Sequence, residues 1–140
     1  MRILGLDLGS RTIGIAISDS LGIIATGVET YRFEDERYDL ALNRVVEIVK
    51  EKKVGKIVLG YPKHMNGDIG DRAKLCEEFK VKIEDATNLE VILIDERWTT
   101  KLAESRLLEA DISRKKRKKV IDKMAAVVIL QNYLDSKGGF

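Results

Sequence analysis

Four carboxylates in this sequence stand where a charge is expensive unless something holds it. Asp7 follows Ile3, Leu4 and Leu6 and precedes Leu8 and Gly9. Asp95 and Glu96 come directly after the apolar run Val91-Ile92-Leu93-Ile94. Asp122 lies among Val120, Ile121, Met124, Ala125, Ala126, Val127, Val128, Ile129 and Leu130. An acid in an apolar strand costs several kcal/mol unless it is paired or binds a metal. Carboxylates gathered at element ends suit Mg²⁺ or Mn²⁺, which take oxygen ligands and keep several waters. Two such ions about 3.5–4 Å apart can activate a water and stabilise the charge of a phosphodiester under attack. The chemistry suggested is metal-assisted hydrolysis. Each acid also has an ordinary reading: a turn-initiating Asp7 bonded to backbone amides, a solvated strand-end pair beside Arg97, and an acid in a helix's first turn for Asp122. Adjacent strand residues point to opposite faces, so one of Asp95 and Glu96 faces the site; Glu96 is favoured, with Asp95 as the substitute.

The elements that must carry these acids can be read from periodicity. Residues 2–8 and 12–18 alternate as strands, with Ile13, Ile15 and Ile17 on one face, and Gly9-Ser10-Arg11 turns between them. A third strand is expected from about Ile23 to Thr30, completing an antiparallel meander. Tyr38, Ala41, Leu42, Val45 and Val49 then repeat at helical spacing up to Lys53. Gly55 is expected to end that helix, and Lys56 to Gly60 reads as a strand buried on both faces. A loop spans Tyr61 to Gly70, with Asp68 as N-cap of a helix ending near Asp85. Val91 to Asp95 is the fifth strand, Thr99 or Thr100 can cap a helix through about Ala110, and a last helix is expected from Val120 to about Leu134. The order β-β-β-α-β-α-β-α-α implies an α/β protein: a mixed five-stranded sheet, the meander plus two parallel strands, with helices on both faces. That order matches the RNase H-like architecture. The 140 residues fit a single domain, 1–140.

Net charge is +2, but Arg114, Lys115, Lys116, Arg117, Lys118 and Lys119 are consecutive, and without these six the chain carries −4. An acidic body with one concentrated basic segment points to a polyanionic partner; a solvated loop is the plain alternative. Ser10, Arg11 and Thr12, beside Asp7, could also touch phosphate. A composition of 44% hydrophobic and 34% charged residues is that of a folded, highly charged protein. A single cysteine rules out an internal disulfide framework. The apolar start is broken by Asp7, too early for a signal peptide, and no apolar run approaches the ~18 residues of a membrane span. The expected setting is cytoplasmic, with no membrane partner.

Other chemistry finds little support. His64 has no Cys or His partner at metal spacing, so zinc is not expected, and an exposed loop histidine is the simpler reading. Cys76 and Trp98 read as core, although Trp98 could stack on a base. Asp19, after the second strand, reads as a turn residue. No Gly-x-x-x-x-Gly-Lys-Ser/Thr phosphate loop occurs.

Four ordered segments resemble the YqgF/RuvX family: Leu6-Asp7-Leu8-Gly9-Ser10-Arg11-Thr12-Ile13-Gly14-Ile15-Ala16, Gly60-Tyr61-Pro62-Lys63-His64-Met65-Asn66-Gly67, Asp95-Glu96-Arg97-Trp98-Thr99-Thr100 and Asp122-Lys123-Met124-Ala125-Ala126. The resemblance covers essentially the whole chain. It implies an RNase H-like fold and a nuclease linked to maturation of the 5′ end of 16S ribosomal RNA, a family also described as a Holliday junction resolvase. By position it implies Asp7, Glu96 and Asp122 as the acidic residues. His64 and Asn66 depart from the loop expected there, where Asn and Asp are more usual.

Three functions compete. The first is a Mg²⁺- or Mn²⁺-dependent endonuclease on structured RNA or four-way DNA junctions, with residues 114–119, Arg11, Thr12 and Arg97 on the nucleic acid. The second is an actin-like ATPase or sugar-kinase fragment, because Asp7-x-Gly9-x-x-x-x-Gly14 also fits a phosphate-binding hairpin; one domain of this length cannot close that cleft alone. The third is a non-catalytic RNA-binding ribosome-assembly factor, which keeps the basic segment and drops the chemistry. Phosphate-gripping residues do not distinguish RNA from DNA. Either a monomer or a homodimer is compatible with the sequence; symmetric cutting of two strands would want a two-fold dimer.

Overall fold

Apolar residues on alternating positions drive the first two strands together. The structure, a computed structural model, describes residues 1–61, 69–95 and 114–138, with backbone alone at 69–72, 95, 114–123 and 137–138. Strands β1 (Arg2–Leu8) and β2 (Thr12–Ser18) form an antiparallel hairpin in which Leu4 faces Ile17 and Asp7 faces Gly14. Strand β3 (Ala25–Arg32) adds antiparallel to β2. Helix α1 (Tyr38–Lys52) leads to β4 (Val54–Tyr61), which lies parallel to β1. Helix α2 (Ile69–Thr87) leads to β5 (Val91–Asp95), parallel to β4. Helix α3 (Arg114–Gly138) closes the described chain. The sheet order is β3-β2-β1-β4-β5, so β1 is central.

Pleating divides β1 between two cores. Leu4, Leu6 and Leu8 face α1 and α2, packing with Ile13, Ile15, Ile57 and Leu59 against Ala41, Val45, Ile48, Cys76, Phe79 and Ile83. Ile3 lies on the other face with Ala16 and Val58, covered by Ala126, Ile129, Leu130, Tyr133 and Leu134 of α3. Gly5 lets that helix approach closely: a Cβ there would stand 2.7 Å from Leu130 Cβ and 3.1 Å from the Ala126 carbonyl oxygen.

Three expected boundaries move. Ile23 and Ile24 are not in β3, because the Asp19 carboxylate accepts hydrogen bonds from both of their amides, at 2.7 and 3.0 Å, and folds them into the turn. Gly55 does not end α1. Lys53 does so, in the left-handed conformation at φ 53, while Gly55 lies inside β4 under the Met1 side chain. The basic segment is not a loop ahead of the last helix but the first turns of α3, as Lys and Arg are good helix formers. That helix also runs on to Gly138. Asp68 and the helix expected from Thr99 or Thr100 to Ala110 fall outside the described residues.

Candidate functional site

Parallel strands bring their carboxyl ends to one edge of a sheet, and in open α/β sheets that edge is where ligands bind. β1, β4 and β5 run parallel here, and Asp7 is the penultimate residue of β1. Its turn is firmly built. The Gly9 amide donates to the Thr12 carbonyl at 2.7 Å, and the Phe33 amide donates to the Arg11 carbonyl at 2.9 Å. Phe33 in turn meets Tyr38 edge-on, with ring centroids 5.6 Å apart. Arg11 is exposed at this edge and Thr12 is half-buried.

The register neighbours of the half-buried Asp7 are glycines. On one side its register partner is Gly14; on the other, one step beyond the Leu6–Leu59 pair, comes Gly60. Both glycines are buried. The row continues to Thr30 beyond Gly14 and to Ile94 beyond Gly60. Thr30 Oγ1 is buried without a hydrogen-bond partner among the described residues. Sequence spacing carried no signal for Gly60 or Thr30 at this place, because cross-strand neighbours appear only once the register is known.

Asp95 pairs in register with Tyr61. Its backbone therefore falls one residue beyond the row of Asp7, level with Tyr61. Tyr61 is tied to α2 by a 2.7 Å hydrogen bond from its hydroxyl to Glu77, and that carboxylate raises the phenol's pKa. Glu96, Arg97, Trp98 and His64 lie outside the described residues.

Asp122 is a backbone position in α3, and the path of that helix fixes which edge it approaches. Gln131 grips the opposite end of the sheet, its Nε2 donating to the Ile23 carbonyl and its Oε1 accepting from the Ala25 amide, both at 2.9 Å. Ala126 and Leu130 cross over Gly5. The helix thus runs against the direction of β1, and earlier residues lie nearer the Asp7 edge. Asp122 is one turn before Ala126, about 6 Å along the axis. Asp7 is two residues beyond Gly5, about 7 Å along the strand. Asp122 is not in the first turn, since α3 begins at Arg114; the helix-dipole reading of this acid is removed. The residues Arg114 to Lys119 come earlier still, about 10–18 Å beyond Ala126 along the helix.

Among the described residues no group of three metal-binding side chains occurs. The residues present do fit a hard divalent cation. Asp7 offers carboxylate oxygen at an edge where its register neighbour Gly14 carries no side chain, and Glu96 and Asp122 are oxygen donors of the same kind. Two other expectations are met: Cys76 is buried in the core, and Asp19 is a turn residue, its carboxyl held below the usual range by hydrogen bonds from the Ile24 and Ile23 amides. No helix among the described residues is long and apolar enough to cross a membrane.

Comparison with known proteins gives a consistent picture. The RuvX family, described as Holliday junction resolvase, matches residues 1–136. A protein of Bacillus cytotoxicus named "Putative pre-16S rRNA nuclease" is 56% identical over 137 residues, covering 98% of this chain and 100% of that protein. A Bacillus mycoides protein of the same name is 54% identical over the same share of both chains. Among solved structures, T. thermophilus RuvC in complex with a Holliday junction substrate superposes with a TM-score of 0.66 at 13% identity, over 99% of this chain and 97% of that one. The fowlpox virus Holliday junction resolvase gives 0.60 at 14% identity, over 98% and 99%. At such identities the likeness is one of fold, and the fold is the RNase H-like arrangement expected from the order of elements.

Proposed function

The chain belongs to the RuvX family, and from that premise we propose that it is a metal-dependent endonuclease acting on structured nucleic acid, with precursor 16S ribosomal RNA, at its 5′ end, as the substrate. What supports the proposal is the crossing at Gly5 of the strand that carries Asp7 and the helix whose sequence carries Asp122. The relatives' name supplies the substrate.

In this reading Asp7, Glu96 and Asp122 bind the ion. Asp95 stands in the row of Leu8 and not in that of Asp7, which leaves Glu96 as the favoured acid of the pair. When bound, Mg²⁺ or Mn²⁺ supplies charge neutralisation at the phosphoryl group and acidifies a water. Arg11, Thr12 and Arg97 hold phosphate oxygens near the cut. The first turns of α3 grip the backbone further away. Six basic residues at a helix N-terminus oppose the helix dipole, whose positive end is already there; a phosphate backbone relieves both. The protein works in the cytoplasm, and cutting one RNA strand requires only one copy.

The test offers precursor 16S RNA and four-way DNA junctions side by side, with Mn²⁺, to the wild type and Asp7→Asn. The proposal expects cleavage of the RNA by the wild type alone. Cleavage confined to the junction turns the assignment to a resolvase. Binding of RNA without cutting under every metal turns it to an assembly factor. Cutting that survives Asp7→Asn or excess chelator contradicts the metal site.

A further inference from the structure

The end of the molecule away from Asp7 carries an unusual surface. Leu21, Ile23 and Ile24 are 79%, 57% and 60% exposed, and Met1, joined to Ser20 by a 2.9 Å hydrogen bond from its amino group, is 67% exposed. Aliphatic side chains of this size are normally scattered on a surface and need no explanation; a contiguous group does. The loop that presents them is also tightly held. Asp19 Oδ1 accepts from the Ile23 and Ile24 amides, the Asp19 amide donates to the Ile24 carbonyl at 3.1 Å, and the Gly22 amide donates to the Asp19 carbonyl at 3.1 Å. Gln131 of α3 holds the Ile23 carbonyl and the Ala25 amide from below. Few degrees of freedom remain to be lost on binding, which is what a preorganised contact needs.

The patch has a charged margin. Met1 and Ser20 also line a cleft of about 450 Å³ whose other walls are Arg2, Glu51, Lys52 and Lys53. Among the described residues none of these three cations is in an ion pair. Lys53 moreover occupies a left-handed position, φ 53, that ordinarily favours Gly or Asn. The surface is therefore an apolar knob beside a cleft with three cations and one carboxylate.

We infer that the Leu21–Ile24 knob and the Arg2/Lys52/Lys53 cleft dock a protein surface in which an apolar recess is edged by carboxylates, carried on the ribonucleoprotein that holds the RNA substrate. The inference rests on the nuclease reading above, which names that RNA. Charge complementarity selects an acidic edge. Leu and Ile neither stack on bases nor hydrogen-bond to them, so RNA itself is a poor occupant. A second copy brings the same cations and a single carboxylate, Glu51, to the cleft, and so complements its charge less well than an acidic partner. The position is also right: Arg2 and Asp7 are five residues apart on β1, about 17 Å, so the knob can be occupied while the opposite edge holds RNA.

The test measures equilibrium binding of the full chain to naked precursor 16S RNA and to purified precursor small-subunit particles, for the wild type, Leu21→Ser/Ile24→Ser and Lys52→Gln/Lys53→Asn. Both substitution pairs fall on exposed or half-buried residues, and Asn suits the left-handed position. The wild type should bind particles more tightly than naked RNA, and each variant should lose that excess by about tenfold or more while matching the wild type on naked RNA. Equal binding of wild type and variants to particles would overturn the inference. So would a wild type that gains nothing from the particle, an equal loss on naked RNA, or a concentration-dependent dimer abolished by the same substitutions. A failure of the nuclease reading shows elsewhere, as absent cleavage of naked RNA by wild type, and so remains distinguishable.

Discussion

Gly5 is where the two acid-bearing elements touch, and replacing it by alanine tests whether that contact positions the site. The added Cβ would stand 2.7 Å from Leu130 Cβ, against about 3.5–4.0 Å for an ordinary carbon contact. The helix must therefore lift by about 1 Å. Because the obstruction is a Cβ, truncating Leu130 to alanine cannot relieve it. Overpacking of this kind costs about 1–3 kcal/mol, and for a chain of this length each kcal/mol lowers Tm by about 3–5 °C. A displacement of about 1 Å between catalytic groups can cost on the order of 10²-fold in rate. Thermal denaturation and single-turnover cleavage of precursor 16S RNA measure both. Gly55→Ala is the control: its Cβ meets the end of the Met1 side chain, which is 67% exposed and free to move, so stability should stay within about 0.5 kcal/mol. A Gly5→Ala protein with wild-type Tm and rate would refute the seating of α3. Lost stability with an unchanged rate would refute the link between that seat and the site.

Other expectations follow from individual groups. Binding of RNA should weaken steeply with salt, and replacing Lys115, Lys116 and Lys118 by Gln should flatten the slope of log K against log salt by up to roughly three phosphate contacts; an unchanged slope would detach the α3 amino end from RNA. Glu84 is held below its ordinary 4.5 by its hydrogen bond with Lys80 and the Val91 amide. A depressed carboxyl stabilises the fold above its unfolded pKa and loses that contribution as pH falls through the folded value. Stability should therefore decline below about pH 4.5, and Glu84→Gln should lose stability at neutral pH and show a shallower acid limb. Arg44 makes a forked ion pair with Glu29 and a further bond to Glu47 at 3.0 Å, at 28% side-chain exposure. Arg44→Met should cost about 1–2 kcal/mol in chemical denaturation, between an exposed pair and a buried one; no loss would show that the pair does not tie β3 to α1.

The sequence was most legible where side-chain pattern and backbone agree. β1, β2 and β5 begin and end where their alternation or apolar run does, and the side chains that take amides there, Ser18 at Ile3 and Glu84 at Val91, leave those bounds unchanged. β3 was displaced because a single carboxylate, Asp19, takes the amides of Ile23 and Ile24, and apolar residues can belong to a turn when a side chain captures their backbone. The amino end of α3 was hidden because six consecutive cations read as polar loop, although their straight chains suit a helix. Gly55 looked like a helix stop, yet a lysine took the left-handed cap. In the candidate site Asp7 was legible as a charge in an apolar strand. Its flanking glycines and Thr30 were not, since cross-strand neighbours depend on a register that spacing along one strand does not fix.

Paramagnetic broadening by Mn²⁺ in the amide spectrum of the full chain tests the metal site at Asp7 most directly. Substoichiometric Mn²⁺ should broaden Asp7, Leu8, Gly14 and Gly60, which share one edge of the sheet, and leave Ile23 and Ile24 at the far end sharp. Asp7→Asn should abolish the effect. Broadening centred elsewhere, or unchanged in Asp7→Asn, would contradict the account.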